Sequence, residues 1–450
     1  MAVWSIVSIS TALECNRLDA EFFQPEFLKV ERQLQRVGAV SLESLLSDVR
    51  YGLNVPAEYV EDGLRFLRAL NLKEYGISGE ILNIPFTALQ VGEINILADG
   101  DLLIVRSGAN AGDTGIITAR FAGSSFGSYV IRMRVNGVDP YYLYVFLKSY
   151  YGRNQTVRFR SGSAQPNISI PNLKEISVLV PSSDDQKNVR RIFEQSEATT
   201  VRAIELVAEA ENTLVKSIGL DSLDVSESLF YERDSSELMA AERFDAEYFS
   251  PRYQRVLKIL TKNGRSICDV ADLAEIRFRP EKLKSSDTFQ YIEIGSVRGE
   301  GLADSETVEV AEAPSRAQWI VEPGDIITST VRPIRRLSAL ITPEQSGHVC
   351  SSGFAVLRPK SDEIEPEVLL AFLRLPVICE ILDLHTTASM YPAISTTRLM
   401  EIPIAVPKQS IRDEVVAKVR TALTARAEAA RLLEKAKAEV ERLVLKTSAA

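Results

Sequence analysis

Two stretches of the chain place apolar or small residues at alternating spacings of four and three. Val189, Phe193, Ser196, Thr200, Ala203, Val207, Ala210 and Leu214 form the first stripe. Val415, Val419, Ala422, Ala425, Ala429, Leu432, Ala436, Val440 and Leu443 form the second. Such a heptad stripe predicts a helix paired with another helix, and its alanines let two backbones come close. Pro181 and Pro407 stand before the two stretches, and Ser182-Ser183-Asp184-Asp185 offers capping side chains and early negative charge. Helices are therefore predicted over 182–218 and 408–445, and a helix of about 35 residues spans roughly 50 Å. The remaining pattern is β-rich. Leu102 to Val105 and Ile326 to Thr330 are short β-type runs after Gly100-Asp101 and Gly324-Asp325, and Ser128 to Met133 and Phe354 to Leu357 read as further strands. Segments opening at Pro140 and Pro366 carry helical spacing with proline in the first turn.

These elements recur with one offset. Arg17-Leu18-Asp19-Ala20-Glu21-Phe22-Phe23 precedes Pro25, and Arg243-Phe244-Asp245-Ala246-Glu247-Tyr248-Phe249 precedes Pro251, 226 positions later. Pro140 and Pro366, Pro166 and Pro392, and Pro181 and Pro407 keep the same offset. The chain is a tandem duplication of a mixed block followed by a helix. The expected fold is α+β: two β-rich globular domains, 1–181 and 243–407, separated by two long antiparallel coiled-coil helices. Residues 219–242 form an acidic linker, with seven acids against one base. The pair of helices is expected to act as a ruler between the two globular heads.

Composition narrows the function. With 450 residues and 45% hydrophobic content, each half can bury its own core. No apolar run reaches the length of a membrane span, and no secretory leader is expected. The four scattered cysteines and two histidines (His348 and His385) give no zinc spacing and fit a reducing cytoplasm. The net charge of −9 argues against nucleic acid until its distribution is considered. From Gly100 to Pro181 there are nine Lys/Arg against four Asp/Glu.

Catalytic chemistry is not visible. The glycine-rich stretch Ser107 to Gly115 lacks the phosphate-loop ending and the dinucleotide spacing, and a tight strand connection explains it better. Asp139-Pro140-Tyr141-Tyr142 lacks the second proline of amino-methyltransferase motifs and reads as a helix start. No triad emerges. Binding chemistry is visible. Tyr150 to Ser163 combines Arg153, Arg158 and Arg160 with aromatics and Ser163, without an acid. Val331 to Leu340 carries Arg332, Arg335 and Arg336, and Arg277 and Arg279 lie in a third basic stretch. Arginine grips guanine or phosphate with two donors, while Asn and Gln suit adenine. Arg106, Asn110, Gln165, Ser389 and Tyr391 complete the candidate DNA contacts. The frame repeats, but residues 72–128 and 298–350 share little similarity, so the two blocks would read two different targets.

In this order and doubled, these motifs resemble a specificity subunit of a type I restriction–modification enzyme. The resemblance rests on the Arg-x-Asp-Ala-Glu-Phe/Tyr-Phe entries, the Gly-Asp turns, the segment from Ser161 to Pro171 and the helix after each block. It implies two target recognition domains that each read half of a split duplex-DNA sequence. It further implies docking of two adenine-N6 methyltransferase subunits and of restriction–translocase subunits. Catalysis and methyl donor would belong to those partners, with no cofactor or metal here. The second copy departs from the first: Thr386 to Pro392 replaces Ser-Gly-Ser-Ala-Gln-Pro, and the triple-glycine turn is missing. A specificity subunit of a type IIB-like system is the nearest alternative. A non-DNA-binding coiled-coil scaffold and an enzyme acting on DNA are the readings from other classes.

Overall fold

The computed structural model describes residues 5–15, 17–54, 59–73, 76–79, 81–89, 95–108, 110–162, 165–221, 230–241, 243–387 and 391–449. Ser163 and Ser389 lie outside the described residues, as do 222–229 and Glu242 of the acidic linker. Two compact units emerge, one of 1–199 with 427–450 and one of 200–426. Each unit takes the N-terminal half of the long helix that follows its own block and the C-terminal half of the other long helix.

Each unit holds a four-stranded antiparallel sheet with the same strand order. In the first, Leu46–Tyr51, Val130–Val135, Leu102–Val105 and Thr114–Ile116 lie side by side. In the second, Ala271–Leu273, Phe354–Pro359, Ile326–Ser329 and Ser338–Leu340 repeat it. The Gly-Asp turns feed the third strand of each order, as the pattern predicts. Gly100 and Gly324 take positive φ values of 83° and 89°, which a side chain disfavours. The aspartate after each is buried, caps the turn from inside, and takes a two-pronged arginine. Asp101 accepts from Ala98 N at 2.8 Å and from Arg134 at 2.7 and 3.1 Å. Asp325 accepts from Glu322 N at 2.9 Å and from Arg358 at 2.8 and 2.9 Å. Such forks tie a turn to a neighbouring strand with geometric precision.

The proline-led helices, Pro140–Lys148 and Pro366–Leu373, are apolar on nearly every face and buried accordingly. Beside each four-stranded sheet lies a second sheet built on one parallel pair, Phe66 opposite Ser125 in the first unit and Tyr291 opposite Val349 in the second. The described strands then differ: three in the first unit and five in the second. The dissimilar regions at 72–128 and 298–350 thus each bring one strand to that pair and diverge otherwise.

The long helices run over Ser183–Ile218 and Gln409–Ala449, and they pair antiparallel. Ser182 Oγ accepts from Asp185 N at 3.2 Å, the expected start of the first. In the first unit Ser196 Oγ donates to Ala429 O at 2.7 Å, and Asn188 contacts Glu439. In the second, Arg426 donates to Thr200 Oγ1 at 2.9 Å and Lys418 to Thr213 Oγ1 at 3.0 Å. Thr200 and Arg426 are themselves 226 positions apart, so equivalent positions meet there. The predicted stripes are the seam: Val189, Ala203, Ala210 and Leu214 are wholly buried, as are Val415, Ala436 and Val440. Sequence periodicity missed Arg426, which is only 5% exposed beside the seam and lies 3.6 Å from Glu300.

The duplicated entry motif is a latch. Arg17 forks onto Asp19 with both bonds at 2.6 Å and covers the Phe22 ring at 4.6 Å. Arg243 forks onto Asp245 at 2.8 and 2.6 Å and covers Tyr248 at 4.4 Å. The ring of Phe22 then meets Phe159 edge-on, and that of Tyr248 meets His385 in the same way. Phe159 and His385 are again 226 apart. Spacing of Arg, Asp and aromatic is therefore dictated by one local knot.

Candidate nucleic-acid interface

In each unit the central strand of the four-stranded sheet runs into a turn that is clamped against a distant segment. The first clamp joins 106–113 to 160–168. Ser107 and Ser161 both bridge to Asn167, Gly108 N donates to Pro166 O at 3.0 Å, and Ile168 N donates to Arg106 O at 2.8 Å. The second clamp joins 330–336 to 387–394. Val331 and Thr387 bridge to Ala393, Arg332 N donates to Pro392 O at 2.8 Å, and Ile394 N donates to Thr330 O at 2.9 Å. Bond for bond the clamps are the same.

The second copy lacks the triple glycine, yet positive φ recurs at the two equivalent places of its turn. Gly108 and Gly112 have φ of 101° and 89° in the first clamp. Arg332 and Arg336, at the equivalent places, have φ of 50° and 60°. They are the only non-glycine residues of positive φ among the described residues. Backbone hydrogen bonds across the clamp, not residue type, impose the conformation.

Around the first clamp, Arg106 lies over the Tyr51 ring at 4.5 Å, and its backbone N–H donates to Tyr129 O at 2.8 Å. Tyr129 is 61% exposed, and Asn110 and Gln165 are exposed too. Gln165 donates to Ser107 Oγ at 3.2 Å, so it is held across the clamp. Arg153 is exposed on helix Tyr150–Arg158, 3.4 Å from Asp113. Arg160 is half-buried against Gly112, and its Nε is buried without a hydrogen-bond partner among the described residues. Burial, with Arg153 nearby, lowers the pKa of the Arg160 guanidinium, as an unneutralised cation would require.

Arg158 is placed differently. It is 6% exposed, donates to Phe22 O at 3.0 Å, pairs with Glu31 at 3.2 Å and covers the Phe22 ring at 4.2 Å. Its fork is used in holding the entry latch. Arg153 and Arg158 point to different faces of the helix, five residues apart, and Arg160 lies just past its end.

In the second clamp Arg332 lies 5.6 Å over the ring of Tyr391, which is 69% exposed, and Arg335 is exposed beside it. Arg336 turns inward instead, donating to Arg374 O and to Glu211, each at 2.7 Å. Arg277 is exposed on another sheet, the five-stranded one, opposite Trp319, and Arg279 is exposed just past that strand. The structure thus gathers Arg106, Asn110, Arg153, Arg160 and Gln165 at one clamp and Arg332, Arg335 and Tyr391 at the other.

Beneath each clamp lies a buried cation that the sequence reading missed. Lys148 donates to Lys73 O at 2.9 Å; Arg374 donates to Gly299 O and, at 3.1 Å, to Arg336 O. Lys148 and Arg374 are 226 apart, as are the carbonyls that they reach. The offset, applied to charged positions inside apolar helices, was the signal that could have found them. Burial lowers the pKa of Arg374, against the pull of Glu211.

The family model described as the type I restriction modification DNA specificity domain matches residues 89–210. That stretch is similar to the type I restriction–modification DNA specificity domain. The matched stretch takes in the first clamp and most of the first long helix. The second clamp lies beyond it and is equivalent by its backbone bonds and by the offset of Pro166 and Pro392. No curated protein matches the chain. Among solved structures it is similar to the type I restriction–modification S subunit from M. genitalium, at 14% identity over 91% of this chain and 95% of that one, with a TM-score of 0.36. It is similar also to the HsdS subunit from Thermoanaerobacter tengcongensis, at 16% identity over 91% and 94%, with a TM-score of 0.27. Among the described residues no His, Cys, Asp or Glu cluster could hold a metal ion, and no helix is long and apolar enough to cross a membrane.

Proposed function

We propose that this chain is the non-catalytic DNA-recognition subunit of a type I restriction–modification complex, that its two units read the two halves of a split duplex sequence, and that it docks adenine methyltransferase and restriction–translocase subunits. One observation carries the reading: two clamps of identical backbone bonding display different exposed side chains, next to a specificity-domain match in the first copy. A scaffold duplicated for folding alone would have no reason to keep the bonding that joins the clamped segments while changing the exposed side chains on it. Exposed arginines beside tyrosines supply phosphate forks and stacking surfaces, and Gln165 and Asn110 supply the amides that suit adenine edges. Two weak half-sites held in one polypeptide gain from effective concentration when the spacing fits.

Deleting the gene and mapping N6-methyladenine across the host genome tests this. Loss of one bipartite methylated motif is the expected result. An unchanged methylation map refutes the reading, and methyl transfer by the isolated chain would make it an enzyme instead.

A further inference from the structure

We infer that the short helices ahead of the two entry motifs carry a duplicated docking surface, and that its occupant is one adenine methyltransferase subunit on each unit. The inference rests on the proposed docking of those subunits and names where they sit. Helix Ile9–Glu14 precedes the first motif and helix Ser235–Ala241 the second. Arg17 N donates back to Ala12 O at 3.1 Å, and Arg243 N to Leu238 O at 3.3 Å, the same bond 226 positions later. One position beyond each end of that bond stand Leu13 and Leu18 in the first copy and Met239 and Phe244 in the second. Leu13 and Met239 are 67% and 68% exposed, and Leu18 and Phe244 are 82% and 71% exposed. The segments are pinned in the same place as well: Ser5 donates to Phe23 O and Arg233 to Phe249 O.

A single exposed leucine on a folded protein needs no explanation. Its recurrence does. Between 5–16 and 231–242 only Ser10 and Ser236 coincide, yet large apolar side chains stand exposed at matching places. Polar residues are tolerated in this segment, since the second copy has Glu232 and Ser235 where the first has Ile6 and Ile9. Apolar character kept at the other two positions therefore has a use. Charge selects the class of occupant. Residues 5–23 hold three acids against one base, and 231–249 hold six against two. Arg17 and Arg243 are forked onto Asp19 and Asp245, while Glu21 and Glu247 are exposed three positions after Leu18 and Phe244. Such a surface repels phosphates and fits a protein face with an apolar centre and a basic rim. One patch on each unit calls for an occupant present twice, which the pair of methyltransferase subunits is.

The test mixes the full chain with the cognate adenine methyltransferase subunit and reads the native mass of the complex. Wild type should load two subunits. Leu13→Glu with Leu18→Glu should weaken the first site, and Met239→Glu with Phe244→Glu the second, each roughly 10- to 100-fold. Either double variant should then load one subunit, and the four substitutions together none. Leu18→Phe and Phe244→Leu, which exchange the apolar residues, should still load two. All four positions are exposed, so the variants should melt as wild type does, and a lost subunit reports docking rather than folding. Two subunits on every variant overturn the inference. An isolated chain that is a dimer, and that these substitutions dissociate, also overturns it and makes a second copy of the chain the occupant. A wild-type chain that loads no methyltransferase subunit refutes the docking reading beneath it as well.

Discussion

At the scale of single residues, the same side-chain type serves opposite purposes according to burial. Arg158 is enclosed and Arg160 is not, although two positions separate them. Arg158→Ala strands Phe22 O and opens the entry latch, so unfolding measurements should show a loss of about 1–3 kcal/mol. Arg160→Ala should leave stability nearly unchanged and instead weaken DNA binding evenly, lowering the salt slope of binding by about one phosphate contact. Reversal of these two outcomes would show that the burial argument is wrong. A histidine gives the pH counterpart. Burial, aided by Arg243 and Arg398, pushes His385 down to about 4, and Arg243 donates to its Nδ1 at 3.1 Å. The unfolded chain takes up a proton near pH 6.5 while the folded latch resists it, so this contribution is complete above that pH and is lost as pH falls toward 4. His385→Phe, which installs the first copy's residue, should remove that part of the acid sensitivity in melting curves recorded between pH 7 and 5.

At the scale of elements, the long helices were the most legible part of the sequence. Both stripes are buried as predicted because a heptad pattern encodes its own contact surface, independently of the rest of the fold. Alanine sets the approach: Ala203, Ala210, Ala422 and Ala436 are all at most 1% exposed. Ala422→Leu should therefore overpack the seam, and chemical denaturation should register a loss of about 1–3 kcal/mol. What the stripes could not disclose is the charge wedged beside them. Glu211, on the outer flank of the first helix, lies 3.5 Å from Arg374 and 2.7 Å from Arg336, and Arg374 is only 4% exposed. No local pattern announces a helix glutamate whose partners lie 125 and 163 residues away. Removing it leaves the enclosed Arg374 short of a counter-charge, for which a cost of about 3–5 kcal/mol is typical, and loosens the partly exposed Arg336. Glu211→Gln melting like wild type would contradict that reckoning.

At the scale of the whole molecule, the duplication makes a prediction about DNA geometry. Under the proposed reading, the helix pair fixes the gap between the two recognised half-sites. Seven residues added to both long helices keep the stripes in phase and lengthen the pair by about 10 Å, on the order of three base pairs. Lengthening one helix alone would slip the antiparallel register instead. The methylated motif of the doubly lengthened chain should keep both half-sites and show a wider gap. A gap that stays the same removes the ruler idea.

By itself the sequence determined the duplication, the two long helices, the Gly-Asp turns and the cationic stretches, two of which reach the clamps. Each of these depends on residues close in sequence, or on a constant offset, and so leaves a readable periodicity. Tertiary structure alone decided which arginines face outward, because that depends on what packs against each one. Arg158 and Arg336 are drawn inward by Phe22, Glu31 and Glu211, all more than 120 residues away in the chain. It also decided the shape of the second clamp. There a set of cross-strand hydrogen bonds holds arginines in a conformation that their own sequence disfavours, so the turn could not be read from residue type.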